Sequence, residues 1–209
     1  MIVTTQESIA AEKTVDTSGV YQQMQRYWFL YTPPELVRAE LEEKIQGVAI
    51  GAKLGDYTIK NMDTLNKPLQ LRYSFSGPEY FTAAGSLRIM PQMAAMDSSL
   101  VAKDTRVYPL YFPFLDIQET LFEIALPVGL NIKYLPKDSK EDNRWFSLSV
   151  EYEYKNRVIY FKQKTALKST QVLQEHYVDF KKIYEGLSKK IKQKINIPIF
   201  ADETAKNSH

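Results

Sequence analysis

The sequence predicts a mainly β fold, an antiparallel β-sandwich with two helices before the strands and one amphipathic helix after them. Three observations predict it. Phe146, Leu148, Val150, Tyr152 and Tyr154 alternate with Ser147, Ser149, Glu151 and Glu153, which is the period of a strand buried on one face. Aromatic residues make up 12% of the chain, with 14 tyrosines, a bias toward strands. Helical spacing appears only over 19–47 and 177–195, leaving many short runs with turn signals between them.

The hairpin is the anchor. A second run from Arg157 to Leu167 follows the first after only Lys155 and Asn156, and Asn tolerates the positive φ of a two-residue loop. With Lys155 and Asn156 as the loop, the expected register sets Tyr152 opposite Ile159, Val150 opposite Phe161, Leu148 opposite Gln163 and Phe146 opposite Thr165. Apolar side then meets apolar side, which specifies register wherever one face is buried.

In chain order, residues 2–15 read as one or two strands. From Gly19, the residues Val20, Met24, Tyr27, Trp28 and Tyr31 recur at helical spacing, so this helix is expected to dock that stripe on the sheet. Thr32, Pro33, Pro34 and Glu35 form a helix start, with Thr32 as N-cap and proline in the first turn. Leu36, Val37, Leu41 and Ile45 give the second helix its buried face, and Gly47 ends it. Tyr57 and Ile59 mark one strand, and Leu69, Leu71, Tyr73 and Phe75 mark another that Gly77 and Pro78 break. Short strands surround Gly85, 91–104 is a long loop, and Pro109 and Pro113 restrict Tyr108–Phe114 to an edge or extended segment. Gln118–Leu126 and Leu130–Leu135 are further strands, separated by a turn, and 137–144 is a charged loop before the hairpin. Phe180, Ile183, Tyr184, Leu187, Ile191 and Ile195 then share one face of the last helix, which Pro198 closes. We read residues 1–197 as one β-sandwich domain, with the helical segment at 19–47, strands over 56–170 and the C-terminal helix at 177–195. Residues 198–209 are expected to be a flexible tail.

Composition removes several chemistries. The chain of 209 residues has no cysteine and two histidines, and a net charge of +2. Thiolate nucleophiles, disulfides and cysteine-ligated metals are therefore impossible, and general attraction to nucleic acid is not expected. No apolar run approaches the roughly 20 residues of a membrane span, and Met1–Ala11 lacks the form of a signal peptide.

Each candidate site has a plainer alternative. His176 sits just before the last helix, where a lone histidine is ordinarily a cap or surface residue. Glu151 and Glu153 share one strand face, as a carboxylate pair for glycoside hydrolysis would, or simply form its solvated side. Met90, Met93 and Met96 are soft potential ligands for Cu(I), or flexible loop packing. Lys181, Lys182, Lys189, Lys190, Lys192 and Lys194 give the last helix a basic side that could meet anionic surfaces, or be solvated. Trp145 could stack on sugar rings, or be buried under a helix. No Gly-rich phosphate loop or dinucleotide fingerprint is present. The expectation is no catalytic, cofactor-binding or metal-binding residue, with Trp145, Glu151 and Glu153 as a possible ligand or partner surface.

Arg106-Val107-Tyr108-Pro109-Leu110, Leu126-Pro127-Val128-Gly129, Leu135-Pro136, the hairpin and the Tyr177–Ile195 helix, together with the helical segment carrying Gly19 and Arg26, resemble the C-terminal β-rich region of bacterial multidomain proteins with a transglutaminase-like module. The resemblance covers roughly residues 5–197. It implies a noncatalytic accessory domain, because that family's catalytic Cys, His and Asp belong to another module and no cysteine exists here to match. It further implies a periplasmic or cell-envelope setting, and as partner the transglutaminase-like module in cis or another protein. A glycan or cell-wall binding module using exposed aromatics is the alternative.

Overall fold

The computed structural model describes residues 1–198; the expected tail at 198–209 lies, from residue 199 on, outside the described residues. Contacts divide the chain into a first unit, Met1–Phe81, and a second that begins at Thr82.

In the first unit, strands β1 (Ile2–Val3) and β2 (Ile9–Thr17) precede helices α1 (Gly19–Tyr31) and α2 (Pro34–Gln46), and β3 (Lys53–Lys60) and β4 (Leu69–Gly77) follow. Its strands lie in the order β3-β4-β2-β1, each pair antiparallel. The alternation read in β4 holds: Leu69, Leu71, Tyr73 and Phe75 are buried, while Arg72 and Ser76 are exposed. Helix α2 lies against β3 and buries Val37, Leu41 and Ile45, whereas Leu36 is exposed. The turn after α2 passes close to the end of β4. A Cβ on Gly77 would come within 2.9 Å of the Ala49 Cβ, so only glycine fits there without a shift. Thr32 closes α1, its N–H donating to the Trp28 carbonyl, and Pro33 rather than Thr32 is the N-cap of α2.

The second unit contains β5 (Thr82–Ala84), β6 (Leu87–Ile89), β7 (Leu110–Tyr111), β8 (Ile117–Ala125), β9 (Ser139–Asp142), β10 (Phe146–Lys155), β11 (Val158–Leu167), β12 (Gln171–Val172), helix α3 (Tyr177–Ile191) and β13 (Asn196–Pro198). Its main sheet runs β8-β11-β10-β9, all antiparallel. Small ladders join β12 to β7, and β13 to β6 to β5. Phe146, Leu148 and Val150 of β10 and Phe161 of β11 share a core with Tyr177, Phe180, Tyr184, Leu187 and Ile191 of α3.

A mainly β sandwich is therefore revised to a mixed α/β fold, 38% strand and 24% helix. The physical reason is visible in that core: the buried face of the second unit's sheet is covered by a helix, so no second sheet is needed to keep it dry. Three local expectations also change. The charged stretch 137–144 contains β9, which pairs with β10. Residues 130–135 form no strand beyond a single bridge of Tyr134 with Asn196. Helix α3 stops at Ile191, and Ile195 is buried from outside it, next to the β13 ladder.

The hairpin is present with a different register. Tyr152 lies opposite Phe161, Val150 opposite Gln163, Leu148 opposite Thr165 and Phe146 opposite Leu167. The loop is thus Asn156 and Arg157, with φ of 52° and 61°. A slip of two residues keeps every side chain on its face, so the apolar pattern fits both registers, and two consecutive left-handed residues decide between them. A non-glycine residue held left-handed costs roughly 1–2 kcal/mol, partly offset by the extra freedom of glycine in the unfolded chain. Arg157→Gly is therefore expected to stabilise the second unit by about 0.5–1 kcal/mol, read as a higher urea midpoint with an unchanged slope.

The long loop 91–104 is packed down. Ala94 and Val101 are buried in the core of the second unit. Gln163 of β11 bonds Ala95 twice, accepting from its N–H at 3.0 Å and donating to its carbonyl at 2.8 Å. From α3, the Tyr177 hydroxyl donates to the Lys103 carbonyl and the Lys181 ammonium to the Val101 carbonyl, each at 2.7 Å.

Candidate functional site

Helix α1 turns an apolar face to solvent. Its expected inward stripe faces solvent: Val20 is 46% exposed, Met24 59%, Tyr27 69%, Trp28 37% and Tyr31 68%, with Leu30 at 67% beside them. Its buried residues are Gln22 and Arg26. This corrects the expectation that the stripe docks on the sheet.

The reason lies in what α1 packs against. Residues 61–68 connect β3 to β4 through turns, leaving carbonyl oxygens that no ladder can satisfy. Gln22 donates to the Leu65 and Lys67 carbonyls, both at 3.0 Å. The Arg26 guanidinium donates to the carbonyls of Asn61 and Met62, to Thr64 at 2.9 Å and to Lys67 at 3.1 Å. Arginine suits this place because its planar fork presents five donors and no acceptor. Gln25 extends the same side, accepting from the Thr17 hydroxyl at 2.8 Å. With its polar side engaged by the loop, α1 must present its apolar side outward.

That outward side is a group of neighbours. Tyr27 and Tyr31 rings lie 4.6 Å apart and Trp28 meets Phe29 edge-on at 4.9 Å. No acidic residue occupies the first turn of α1 and no basic residue the last. This face is aromatic and aliphatic and carries no charged side chain.

The residues singled out from the sequence lie elsewhere and apart. Trp145 is 6% exposed, under α3, with its ring edge-on to Phe180 at 5.5 Å and the Arg144 guanidinium over its face at 4.3 Å. It takes the buried alternative. Glu151 and Glu153 are exposed on β10, opposite Lys162 and Tyr160 of β11. They occupy the sheet face opposite to Phe146, Leu148 and Val150, whereas His176 stands at the start of α3 on the covered side, its ring 6.4 Å from Trp145. The sheet separates that histidine from those carboxylates, so they form no common cleft.

Met90 is fully buried, and Met93 and Met96 pack against the core, which is the gap-filling role. Among the described residues no three His, Cys, Asp or Glu side chains could hold a metal ion. Lys181 is committed to the loop and to Glu185 at 3.1 Å; that bond with Glu185 raises its pKa, with help from Asp104. Lys182 and Lys190 share an open depression of about 570 Å³ with Glu141, Asp179 and Trp145, so the basic side of α3 is broken by acidic groups. Burial, with the Asp97 charge adding to it, pushes the Tyr184 hydroxyl up to about 12, which keeps it neutral in the core. Among the described residues no helix is long and apolar enough to cross a membrane.

Sequence reasoning found α1 and missed its orientation. One signal was available: Val20, Met24, Tyr27 and Tyr31 are spaced by four, three and four, the narrow seam of helix-to-helix contact rather than the wide stripe that meets a sheet.

Residues 86–197, more than half of the chain, match the family DUF3858, described as a domain of unknown function with solved structure. No curated protein matches the sequence. A crystal structure described as that of "a putative protease" from Parabacteroides distasonis ATCC 8503 is similar, with 13% sequence identity and a TM-score of 0.45. The likeness covers 56% of this chain and 24% of that one, so the chain spans about a quarter of that protein's length.

Proposed function

From the premise that this chain belongs to the DUF3858 family, we propose that it is a noncatalytic accessory domain of a transglutaminase-like protein of the cell envelope, working by docking to another protein surface. The observation that carries the reading is the outward-facing apolar side of α1, held in place by Gln22 and Arg26. A helix that spends its polar residues on its own loop and leaves aromatics in water is arranged for a partner. The lack of any cysteine supports the noncatalytic part, since papain-type chemistry needs a thiolate nucleophile. So does the separation of His176 from Glu151 and Glu153 by the sheet. The sequence resemblance supports the transglutaminase-like context and the envelope setting.

The test is titration of the chain against a separately produced transglutaminase-like module from the same organism. Saturable binding by calorimetry, lost in Tyr27→Glu with the circular dichroism spectrum unchanged, is the expected result. Binding that survives Tyr27→Glu removes α1 from the reading, and turnover of peptide or glycoside substrates by the isolated chain removes the noncatalytic assignment.

A further inference from the structure

We infer that the exposed face of α1 pairs with the same face of a second copy of this chain, as an antiparallel helix pair about a two-fold axis. This rests on the docking reading above and names what covers that surface when no module is bound to it.

Three observations select a second copy. First, the four-three-four spacing of Val20, Met24, Tyr27 and Tyr31 is a heptad seam, which asks for another helix. The 13 residues of α1 span about 20 Å at 1.5 Å per residue, long enough for this whole seam to be in contact.

Second, the seam is complementary to itself. In an antiparallel pairing centred between Met24 and Tyr27, Val20 meets Tyr31 of the other copy and Met24 meets Tyr27, so each smaller side chain faces a larger one. The one charged side chain in α1, Arg26, is buried on the far side, so bringing two identical faces together opposes no like charges. A face that meets its own copy must satisfy both conditions, because an isologous contact uses one patch twice.

Third, the area is sufficient. Val20, Met24, Tyr27, Trp28, Leu30 and Tyr31, exposed by 37% to 69%, together offer roughly 700 Å² per copy, near the ~800 Å² each partner gives to a standard interface.

Sedimentation equilibrium of the chain from about 1 to 200 µM tests this, a range chosen because interfaces of this size begin at micromolar affinity. The expected result is a monomer–dimer equilibrium. Met24→Lys and Tyr27→Glu should each raise the dissociation constant at least tenfold, with circular dichroism unchanged because both positions face water in the monomer. Mixing the two variants should restore dimer, since the introduced lysine of one copy then faces the introduced glutamate of the other. A chain that stays monomeric throughout, or a dimer indifferent to both variants, overturns the inference. The docking reading fails separately, when the transglutaminase-like module does not bind.

Discussion

Arg26→Met is expected to destabilise the first unit by about 3 kcal/mol, the larger of the effects expected there. Methionine keeps the length and the helix preference of arginine, so what is lost is donors. Four carbonyl oxygens of the 61–67 turn are bonded by one guanidinium, and a bond from a charged donor contributes about 1.5–3 kcal/mol. Part is recovered as water reaches the loosened loop, which is why the expectation stays below the sum. Arg26→Lys should lose about 2 kcal/mol, because a compact ammonium cannot fork across separated acceptors. Trp28, on the same helix, reports the transition by its fluorescence in a Trp145→Phe background. An Arg26→Met midpoint within error of the parent would show that the loop holds α1 by other means.

Phe180→Ala should cost the second unit about 4 kcal/mol, in the 3–5 kcal/mol range of large aromatic truncations. Phe180 is 1% exposed, and its ring meets Trp145 at 5.5 Å and Phe146 at 6.0 Å edge-on, and Tyr184 at 5.5 Å. Truncation removes these contacts at the centre of the helix-on-sheet core and leaves a void that the rigid β10 backbone cannot close. Phe180→Leu, which refills most of the volume, should cost about 1.5 kcal/mol or less. Trp145 is the reporter: its emission should shift to the red in the alanine variant as water gains access. An unshifted emission with an unchanged midpoint would mean that α3 contributes little to the sheet it covers.

Much of the fold was legible where a residue's environment follows from its neighbours in the chain. The β4 alternation and the α3 face as far as Ile191 were read correctly because an apolar side meeting an apolar core leaves a periodic trace. The hairpin was found and its register misplaced by two, since period two is blind to such a slip; the decisive fact was that Arg157 joins Asn156 at positive φ. Helix α1 was found and turned the wrong way. Periodicity shows that a helix has two sides, and burial of the apolar one follows only when an apolar surface awaits it. Here the surface is a set of carbonyls contributed by a turn some 40 positions away, which no local pattern announces. The accessory reading came from the family resemblance and the missing catalytic residues, while the surface now offered for it became visible only with the helix in place.

Two edge strands, β9 and β3, bear on how such a molecule can crowd together without harm. β9 is only four residues long and carries Lys140, Glu141 and Asp142, and β3 breaks its pairing between Leu54 and Tyr57. They stand at the two ends of the strand order. Short, charged or kinked borders refuse an incoming strand, so fibre-like stacking is closed off along these sides. If α1 pairs with its own copy as inferred above, self-attraction at high concentration is steered to a helix surface of finite extent, where it saturates in small assemblies instead of propagating.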